Sequence, residues 1–385
     1  RSFFCLEVPV PSSSLLLNLA FLSEKPTGLS NYALNLLPHL LDLDPLVLGP
    51  DCAALQCLRQ DSKYQDSKYP TSKPQHHITS AHLSPDRGLR GHIQRLLWTQ
   101  FRLPQLYHQH RQRLLFCPIP EAPIAAGCRT VVMVHDFIPL RFPHRRSFLT
   151  LYFQFYLPWI LKQADHILCN SHSTAQDIQA FCAIPDRRIT VIPLAHNAEQ
   201  FYPQNLPHQN YFLYVGRPDP HKNLRRALEA FAQIAPHTDA EFWIGGSADS
   251  RYTPQLQAFV DSQSLGDRVK FLGYVSDRDL PRLLNQALAL VFPSLWEGFG
   301  LPVLEAMACG TPVITSDQSA LPEVAGDAAL LVDPYSVPSI ASALEAIVTE
   351  PGLREELRGR GIVQAQRFSW QTTGEKTVKV LRQFL

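Results

Sequence analysis

The sequence lacks several features that would point to specialised classes of protein. No stretch approaches the roughly 20 apolar residues that a membrane-spanning helix requires. The eight cysteines include no CxxC pair and no cluster with histidine at metal-ligand spacing, which argues against zinc or thioredoxin-like chemistry. The formal net charge is only +1, so a nucleic-acid partner gains no support. We therefore expect a protein of a reduced compartment, cytoplasmic or peripheral at the inner face of the membrane.

Length and apolar content are those of a two-domain globular protein. A chain of 385 residues is longer than one ordinary hydrophobic core accommodates, and a hydrophobic content of 45% is ample for two such cores. Residues 195–210 are polar and rich in turn formers, and a fresh strand pattern follows them. We place the boundary there, with domains at residues 1–203 and 204–385. The chain begins with Arg1, and its apolar run at residues 3–6 is too short for the core of a signal peptide, so we expect the first dozen residues to be an uninformative extension.

Short apolar runs alternate with helical patterns through both halves of the chain. This alternation is typical of parallel sheets covered by helices on both faces. The stretch 60–85 has no apolar period and predicts a mobile surface loop. The predicted strands are residues 15–21, 114–117, 131–134, 167–169, 189–192, 211–215, 242–244, 269–272, 288–292 and 313–315.

The most informative segment is 288–316. Its apolar run gives way to a glycine loop that contains Glu297 and then to a short helical pattern that contains Glu305. Pro302 suits the first turn of that helix, and Gly310 suits the position just past its end. Two carboxylates therefore lie near a helix N-terminus, whose free N–H groups and positive dipole end attract phosphate or hydroxyl oxygens. That combination suits a phosphorylated sugar.

Other polar and glycine positions follow the predicted strands, at the edge where open parallel sheets bind ligands. The loop before a helical pattern at Leu224 carries Arg217 and Lys222, two cations suited to a diphosphate or simply solvated. His135 follows another strand, where histidines are commonly structural. Gly28 precedes the first helical pattern, and its loop either cradles an anion or forms a tight turn. Two domains with facing strand ends would bring these residues to one cleft.

A basic and aromatic stretch occupies residues 145–160. It predicts either a buried helix of the first domain or a helix at a membrane surface. The second interpretation requires that basic residues upstream share its exposed face, because basic and aromatic surface together favour anionic lipid. Those residues are Arg87, Arg90, Arg95 and Arg102.

Taken together, these residues resemble glycosyltransferase family 4, the retaining sugar-nucleotide transferases with the GT-B fold. The resemblance covers about residues 15–385 and is most specific where residues 297–302 and Glu305 match the family's paired-glutamate motif. The match continues through residues 310–313, 321–324 and 332–334. It implies an α/β protein with two facing doubly wound Rossmann-like domains around a central cleft. The first domain would bind the acceptor, the second the donor, and the last helix would cross back to the first.

The resemblance also implies roles for individual residues. Glu297 would bind hydroxyls of the donor sugar and Glu305 those of the ribose. Arg217 and Lys222 would neutralise the leaving diphosphate, and His135 would lie at the catalytic centre. The other donor-binding positions that it indicates are Gly28, Gly216, Tyr274, Val275, Gly298, Phe299, Gly300 and Leu301.

The reaction that the family implies is a front-face displacement with retention, without cofactor or bound metal, since the two cations and the helix N-terminus supply the positive charge. The acceptor would be a glycan or a lipid-linked molecule, with peripheral membrane contact through the N-terminal domain. Residues 135–140 resemble those of bacterial mannosyl- and rhamnosyltransferases of cell-surface polysaccharide assembly. They favour GDP-mannose as donor, with UDP- and dTDP-sugars as alternatives.

Two other functions fit the same architecture. A catalytically idle GT-B module would bind a glycan or a partner enzyme, but it would be expected to lose a charged donor residue. A non-hydrolysing sugar-nucleotide epimerase would consume no acceptor and would need further carboxylates as acid and base. Both alternatives stay open at this point.

Overall fold

The computed structural model describes residues 14–23, 27–52, 55, 75–143 and 147–385. Its first sheet has the strand order β3-β2-β1-β4-β5-β6-β7, and every neighbouring pair is parallel. The strands are β1 Leu15–Asn18, β2 Leu46–Gly49, β3 Gln75–Ile78, β4 Leu114–Cys117, β5 Thr130–Val134, β6 His166–Cys169 and β7 Ile189–Val191.

The second sheet is also parallel and has the order β10-β9-β8-β11-β12-β13. In both sheets the order reverses beside the first strand of the domain, between β1 and β4 and between β8 and β11. Such switch points are where open sheets bind ligands. The predicted pair of doubly wound domains is confirmed. The strands are β8 Tyr211–Val215, β9 Glu241–Gly245, β10 Val269–Gly273, β11 Ala289–Phe292, β12 Val313–Ser316 and β13 Leu330–Val332.

Helices connect the strands in both domains. None of those in the described residues is both long enough and apolar enough to cross a membrane. The first domain contains α1 Gly28–Leu40, α2 Gly88–Gln109, α3 Ile138–Arg141, α4 Phe148–Leu151, α5 Leu157–Gln163 and α6 His172–Cys182, with a π-helical turn, Tyr152–Tyr156, between α4 and α5. The following helices are α7 Leu224–Ile234, α8 Thr253–Ser262, α9 Leu280–Gln286, α10 Leu301–Ala308, α11 Leu321–Ala325, α12 Val337–Thr349, α13 Pro351–Ala365 and α14 Trp370–Leu381.

Alternate side chains of each strand enter different cores, because both faces of each sheet are covered. Leu15 of β1 belongs to one apolar cluster, and its neighbour Leu16 belongs to the cluster on the opposite face. In β11, Leu290 and Val291 are divided in the same way. Leu15 and Leu290 belong to the same cluster, so apolar packing is continuous from the first domain to the second.

The last helix, α14, packs on α1 of the first domain. Gly374 lies so close to the ring of His39 that any side chain at position 374 would overlap it. The hydroxyl of Thr373 donates to the carbonyl oxygen of Pro193 at 2.8 Å. Leu381 shares a buried cluster with Leu36 of α1. The end of the chain thus ties the two domains together.

Three strands, β2, β3 and β13, are absent from the predictions made on sequence. β3 lies inside the stretch 60–85, so the predicted mobile loop is wrong for residues 75–78. These residues pair with β2 as an edge strand, with Leu46 opposite Gln75 and Leu48 opposite His77. An edge strand is paired on one side only and needs no continuous apolar run. Residues 60–74 and the first dozen residues lie outside the described part.

The basic and aromatic stretch matches neither of its two predicted forms in full. It is not one buried helix, because Phe155 and Trp159 are exposed. The required set of exposed basic residues is also incomplete, because Arg95 is buried and forms an ion pair with Glu121, their Nε and Oε2 atoms 2.6 Å apart. The three other arginines of that set are exposed. Arg145 and Arg146 lie outside the described residues.

Candidate active site

Two loops meet at the switch point of the second sheet, residues 216–223 after β8 and residues 293–300 after β11. The N–H of Leu295 donates to the carbonyl oxygen of His221 at 2.7 Å. Asn223 adopts a left-handed conformation, and its side-chain amide donates to the carbonyl oxygen of Pro293 at 2.9 Å. These hydrogen bonds fix the two loops side by side.

Lys222 and Glu297 form an ion pair where the loops touch. Nζ of Lys222 lies 2.7 Å from Oε1 of Glu297, and both side chains are largely buried. The N–H of Glu297 donates to the hydroxyl of Ser319 at 3.0 Å, which fixes the backbone beneath the carboxylate. An ammonium has three donors, so Lys222 keeps two for the oxygens of a ligand. The pair can therefore present a cation and a carboxylate to one molecule.

The N-terminus of α10 opens beside this pair. Gly300 precedes the helix with a φ of 107°, a conformation that favours glycine, and no side chain caps the helix. The N–H groups of Gly300 and Leu301 form no hydrogen bond with any described residue, and Pro302 has no N–H. Free donors and the positive end of the helix dipole are suited to an anion or to sugar oxygens.

Glu305 lies on α10, beyond its first turn, and is partly buried. Burial, together with a smaller effect of the nearby charge of Asp277, raises the pKa of its carboxyl to about 7. Within the described chain, no N–H or hydroxyl donates to this carboxyl. Such a carboxylate is suited to accept hydrogen bonds from the hydroxyls of a ligand.

His135 follows β5 and faces the cleft from the first domain. Its Nε2 lies 2.9 Å from the carbonyl oxygen of Pro118, and because a carbonyl only accepts, Nε2 carries the proton. The edge of the ring meets Tyr32 of α1, with the ring centres 4.8 Å apart. Burial lowers the pKa of His135 to about 4, so the ring is neutral at pH 7. Its Nδ1 is then an acceptor.

Asp136, next to His135, was not among the predicted site residues. One oxygen of its carboxyl accepts from the N–H of Ile138 at 3.0 Å. Burial raises the pKa of Asp136 to about 6, and the negative charge of Glu297 adds to the rise. The carboxyls of Asp136 and Glu297, one from each domain, therefore lie close enough for their charges to interact. Even so, the described residues contain no group of three or more potential ligands that could hold a metal ion.

Gly298 is a point of direct contact between the domains. Its carbonyl oxygen accepts from the hydroxyls of Ser171 and Thr174 at 2.7 and 3.2 Å. A methyl group at position 298 would overlap the carbonyl oxygen of His135 and lie 2.8 Å from Cβ of Asp136. The glycine therefore permits a backbone contact that sets the distance between Glu297 and the first domain.

Two further contacts hold the domains at this place. The guanidinium of Arg141 lies 3.9 Å from the ring centre of Trp296, the residue before Glu297, and its Nε donates to the buried Asp177 at 3.1 Å. The carboxylate of Glu323 accepts from the first two N–H groups of α6, at 2.8 and 2.7 Å. The loop that carries Glu297 is thus positioned by both domains.

Arg217 is not brought to the Lys222–Glu297 pair. It is 69% exposed, and its guanidinium lies 3.2 Å from the carboxylate of Asp219. Asp219 in turn lies 3.9 Å from Arg251. The two predicted cations therefore pair with different carboxylates, Arg217 with Asp219 and Lys222 with Glu297.

The strand ends of β8, β9 and β10 enclose a pocket of about 160 Å³. Gly216 has a φ of 147°, and its carbonyl oxygen leaves no room for a side chain on the adjacent Gly246. Val275 packs on this region, since a methyl group on Gly245 would lie 2.9 Å from it, whereas Tyr274 is exposed. The residues that line the pocket include Gly216, Ile244, Gly246, Phe271 and Gly273.

Gly28 is the first residue of α1, at the edge of the first sheet that faces the cleft. The hydroxyl of Thr27 caps this helix by accepting from the N–H of Ser30 at 3.3 Å. A methyl group at position 28 would meet no described atom within 4 Å. The glycine leaves open space there and is not required by a close backbone contact.

Some of the residues that hold the site had a local signal in the sequence. Ser171 follows a predicted strand and begins a Ser-x-x-Thr pattern that caps α6. Glu323 lies in one of the matched family segments, but no role was assigned to it. Arg141 and Trp296 gave no signal, because their contact depends on how the domains face each other.

Two family models match consecutive parts of the chain. One, described as Glycosyltransferase Family 4, matches residues 26–200, and the other, described as Glycosyl transferases group 1, matches residues 197–363. The chain is a family 4, group 1 glycosyltransferase. The resemblance predicted from the sequence is confirmed.

Curated relatives of this glycosyltransferase include O-antigen enzymes. It is 29% identical to the O-antigen chain mannosyltransferase RfbU of Salmonella typhimurium, over 88% of this chain and 92% of that protein. It is 37% identical to O-antigen chain mannosyltransferase B of Escherichia coli, over 45% of this chain but only 46% of the relative's length.

Solved structures show the same architecture. Anabaena Alr3699/HepE, in complex with UDP and glucose, matches with a TM-score of 0.72 and 18% identity, over 96% of this chain and 99% of that one. A sucrose-phosphate synthase from Thermosynechococcus elongatus matches with a TM-score of 0.70 and 20% identity, over 96% and 98%. The predicted GT-B fold is confirmed.

Proposed function

We propose that this glycosyltransferase moves a hexosyl group from a nucleotide-diphosphate sugar to a glycan or lipid-linked acceptor, with retention and without a bound metal. The observation that carries the proposal is the Lys222–Glu297 pair at the open N-terminus of α10. It offers a carboxylate for sugar hydroxyls and positive charge for a diphosphate at one place.

The donor would lie along the strand ends of the second domain. The pocket beside Gly216 would take the base, and Glu305 would accept the ribose hydroxyls. The diphosphate would then reach Lys222 and the free N–H groups of Gly300 and Leu301. The orphan carboxyl of Glu305 supports this placement, since it has no donor of its own in the described chain.

Bond breaking would be assisted by charge fixed in advance. The bond between the sugar C1 and the diphosphate oxygen breaks, and the diphosphate leaves with the electron pair. Lys222 and the α10 N-terminus stabilise the departing charge, and Arg217 would leave Asp219 to join them. The acceptor hydroxyl then attacks from the same face and loses its proton to a diphosphate oxygen.

His135 would position the sugar and not exchange protons. Its Nε2–H is already donated to Pro118, and its lowered pKa keeps the ring neutral. The free Nδ1 can accept a hydrogen bond from a sugar hydroxyl. A neutral ring is also compatible with the positive charge that develops on the sugar.

GDP-mannose is the donor that we propose first. Both O-antigen relatives described above are named as mannosyltransferases, which supports the sugar. The complex of Anabaena Alr3699/HepE contains UDP and glucose, so the alternative of a UDP-sugar is tested beside it.

A thermal-shift panel of nucleotide sugars tests the proposal. A ligand at about 100 times its dissociation constant stabilises the native state by about 2.7 kcal/mol, which raises the melting temperature measurably. We expect one base to stand out, GDP-mannose before the UDP- and dTDP-sugars, with no change on addition of a chelator. Stabilisation by none of them would refute the proposal.

Product analysis separates the two other functions. Transfer with retention gives a glycosylated acceptor whose new anomeric centre, read by NMR, has the configuration of the donor. An epimerised sugar nucleotide formed without acceptor would instead identify an epimerase. Nucleotide-sugar binding without any product would identify a binding module.

A further inference from the structure

One carboxylate oxygen in the cleft has no partner among the described residues. Asp136 lies just before α3, and its Oδ1 accepts from the N–H of Ile138 at 3.0 Å, which fixes the orientation of the carboxyl. Its Oδ2 accepts from no N–H or hydroxyl of the described chain and is open to solvent. This second oxygen is therefore available to a ligand.

Asp136 faces the Lys222–Glu297 pair from the other domain. A methyl group on Gly298, the residue after Glu297, would lie 2.8 Å from Cβ of Asp136. Burial is the largest of the causes that bring the pKa of Asp136 to about 6, and the charges of Glu297 and Lys222 also act on it. The carboxyl is therefore mostly ionised at pH 7. Because Lys222 is paired with Glu297, the charge of Asp136 is left for a molecule in the cleft.

Three hydrogen-bond acceptors from two domains lie at this part of the cleft. They are the carboxylate of Glu297, Nδ1 of His135 and Oδ2 of Asp136. An ionised carboxylate only accepts, and the Nε2–H of His135 is already donated to Pro118. The hydroxyls of a hexose supply the missing donors at several carbon atoms. A diphosphate would be repelled by the charge of Asp136, so this oxygen suits the sugar part of a nucleotide sugar.

We propose that Asp136 binds the donor sugar, with Oδ2 accepting a hydrogen bond from one hydroxyl of the transferred hexose. The inference rests on the proposed function, which places the hexose between Glu297 and His135, and it adds a residue that the sequence did not indicate. Carboxylates of both domains would then hold the same sugar. The first domain would contribute to donor affinity and would select hexoses that carry a hydroxyl at one particular carbon.

Asp136→Asn isolates this oxygen. The amide keeps one oxygen for the N–H of Ile138, but an NH2 group, which cannot accept, takes the place of Oδ2. Loss of a negative charge near Lys222 should favour the binding of any anion, whereas loss of the hydrogen bond weakens the binding of the sugar alone. A purely structural role would weaken both alike. Asp136→Ser, whose hydroxyl can also accept from Ile138, is a second variant with the same expected result.

Calorimetric titration of the full chain with GDP and with GDP-mannose tests the proposal. We expect Asp136→Asn to bind GDP-mannose about 10- to 100-fold more weakly than wild type, as for the loss of a hydrogen bond to a charged group, and to bind GDP no more weakly. If the thermal-shift panel selects another nucleotide sugar, that sugar and its nucleoside diphosphate are used instead. The matched control is Asp239→Asn, exposed just before β9 at the sheet edge away from the cleft, which should follow wild type.

Monodeoxy analogues of the donor identify the contact. Each analogue lacks one hydroxyl of the hexose. At the position that Asp136 binds, removal of the hydroxyl should weaken binding to wild type at least about tenfold but weaken binding to Asp136→Asn by no more than about threefold. Removal of a hydroxyl that is held elsewhere should weaken binding to both proteins equally. Coupling at a single carbon therefore distinguishes a direct contact from an indirect effect.

Three results would overturn this inference and leave the proposed function standing. They are wild-type affinity of both variants for GDP-mannose, equal losses of affinity for GDP and GDP-mannose, and coupling at none of the hydroxyls. Melting temperatures show that each variant is folded. Failure of wild type to bind any nucleotide sugar would instead overturn the proposed function, and this inference with it.

Discussion

Because the pKa of Glu305 is raised, we predict that both the stability of the protein and its affinity for a nucleotide depend on pH. Burial, with a smaller effect of the charge of Asp277, raises the pKa of this carboxyl from 4.5 to about 7. A carboxyl whose pKa is raised on folding binds its proton more tightly in the native state. The native state is therefore destabilised as pH rises from about 4.5 to about 7, by at most about 3.4 kcal/mol.

Glu305→Gln should remove this pH dependence. The variant keeps the shape of the side chain but carries no charge, so its melting temperature should exceed that of wild type above about pH 7, and the difference should shrink as the pH falls and disappear below about pH 4. Melting curves across this range measure the difference. Glu355→Gln, at an exposed position of α13, is the matched control and should follow wild type throughout.

The same carboxyl should make nucleotide binding depend on pH. If ribose hydroxyls donate to Glu305, the ionised form binds and a proton is released on binding. With a pKa of about 7, roughly nine in ten molecules are protonated at about pH 6 and one in ten at about pH 8. The dissociation constant for GDP should therefore be about tenfold larger at about pH 6 than at about pH 8.

Calorimetric titrations of wild type and Glu305→Gln with GDP measure this effect. The phosphates of GDP titrate in the same range, but they do so equally for both proteins, so the difference between the two pH profiles isolates Glu305. Identical profiles for the two proteins would refute the contact between Glu305 and the nucleotide.

Three further substitutions test how the site is held. In a transfer assay, Gly298→Ala should reduce turnover about 100-fold and retain nucleotide affinity, because the added methyl group forces His135 away. The control is Gly266→Ala, whose methyl group would meet no atom within 4 Å and which should leave turnover unchanged. Arg141→Gln should lower the free energy of unfolding, measured with denaturant, by about 3 kcal/mol, because Asp177 stays buried without its partner. A loss below about 1 kcal/mol would contradict this ion pair. Arg217→Ala should leave stability within about 0.5 kcal/mol but weaken GDP binding at least about tenfold by calorimetry, and unchanged binding would exclude it from the site.

Most of the strand pattern could be predicted because the central strands are buried on both faces. A strand such as β11 then reads as a continuous apolar run, which marks it without knowledge of its neighbours. β3 could not be found in this way, since Gln75–Ile78 is a polar edge strand whose only signal is its pairing with β2. β13 was missed, although β7, which is equally short at three residues, was predicted.

The sequence predicted where the site residues lie in the fold better than it predicted which side chains they contact. Glu297 and Lys222 both follow strands of one parallel sheet, so their loops had to lie at the same edge. That they form an ion pair, whereas Arg217 turns to Asp219, depends on loop geometry that sequence spacing does not determine. A side chain at position 298 would overlap His135 only because the two domains approach each other there. No local pattern in the sequence predicts that approach.

The central claim is that the Lys222–Glu297 pair holds the donor sugar. Its most direct test is the turnover of Glu297→Gln with GDP-mannose, or with whichever nucleotide sugar the thermal-shift panel selects, measured beside the affinity for the nucleotide diphosphate. We predict a loss of at least about 100-fold in turnover with nearly unchanged affinity for the diphosphate, which lacks the sugar. Turnover at the wild-type level in the folded variant would contradict the account.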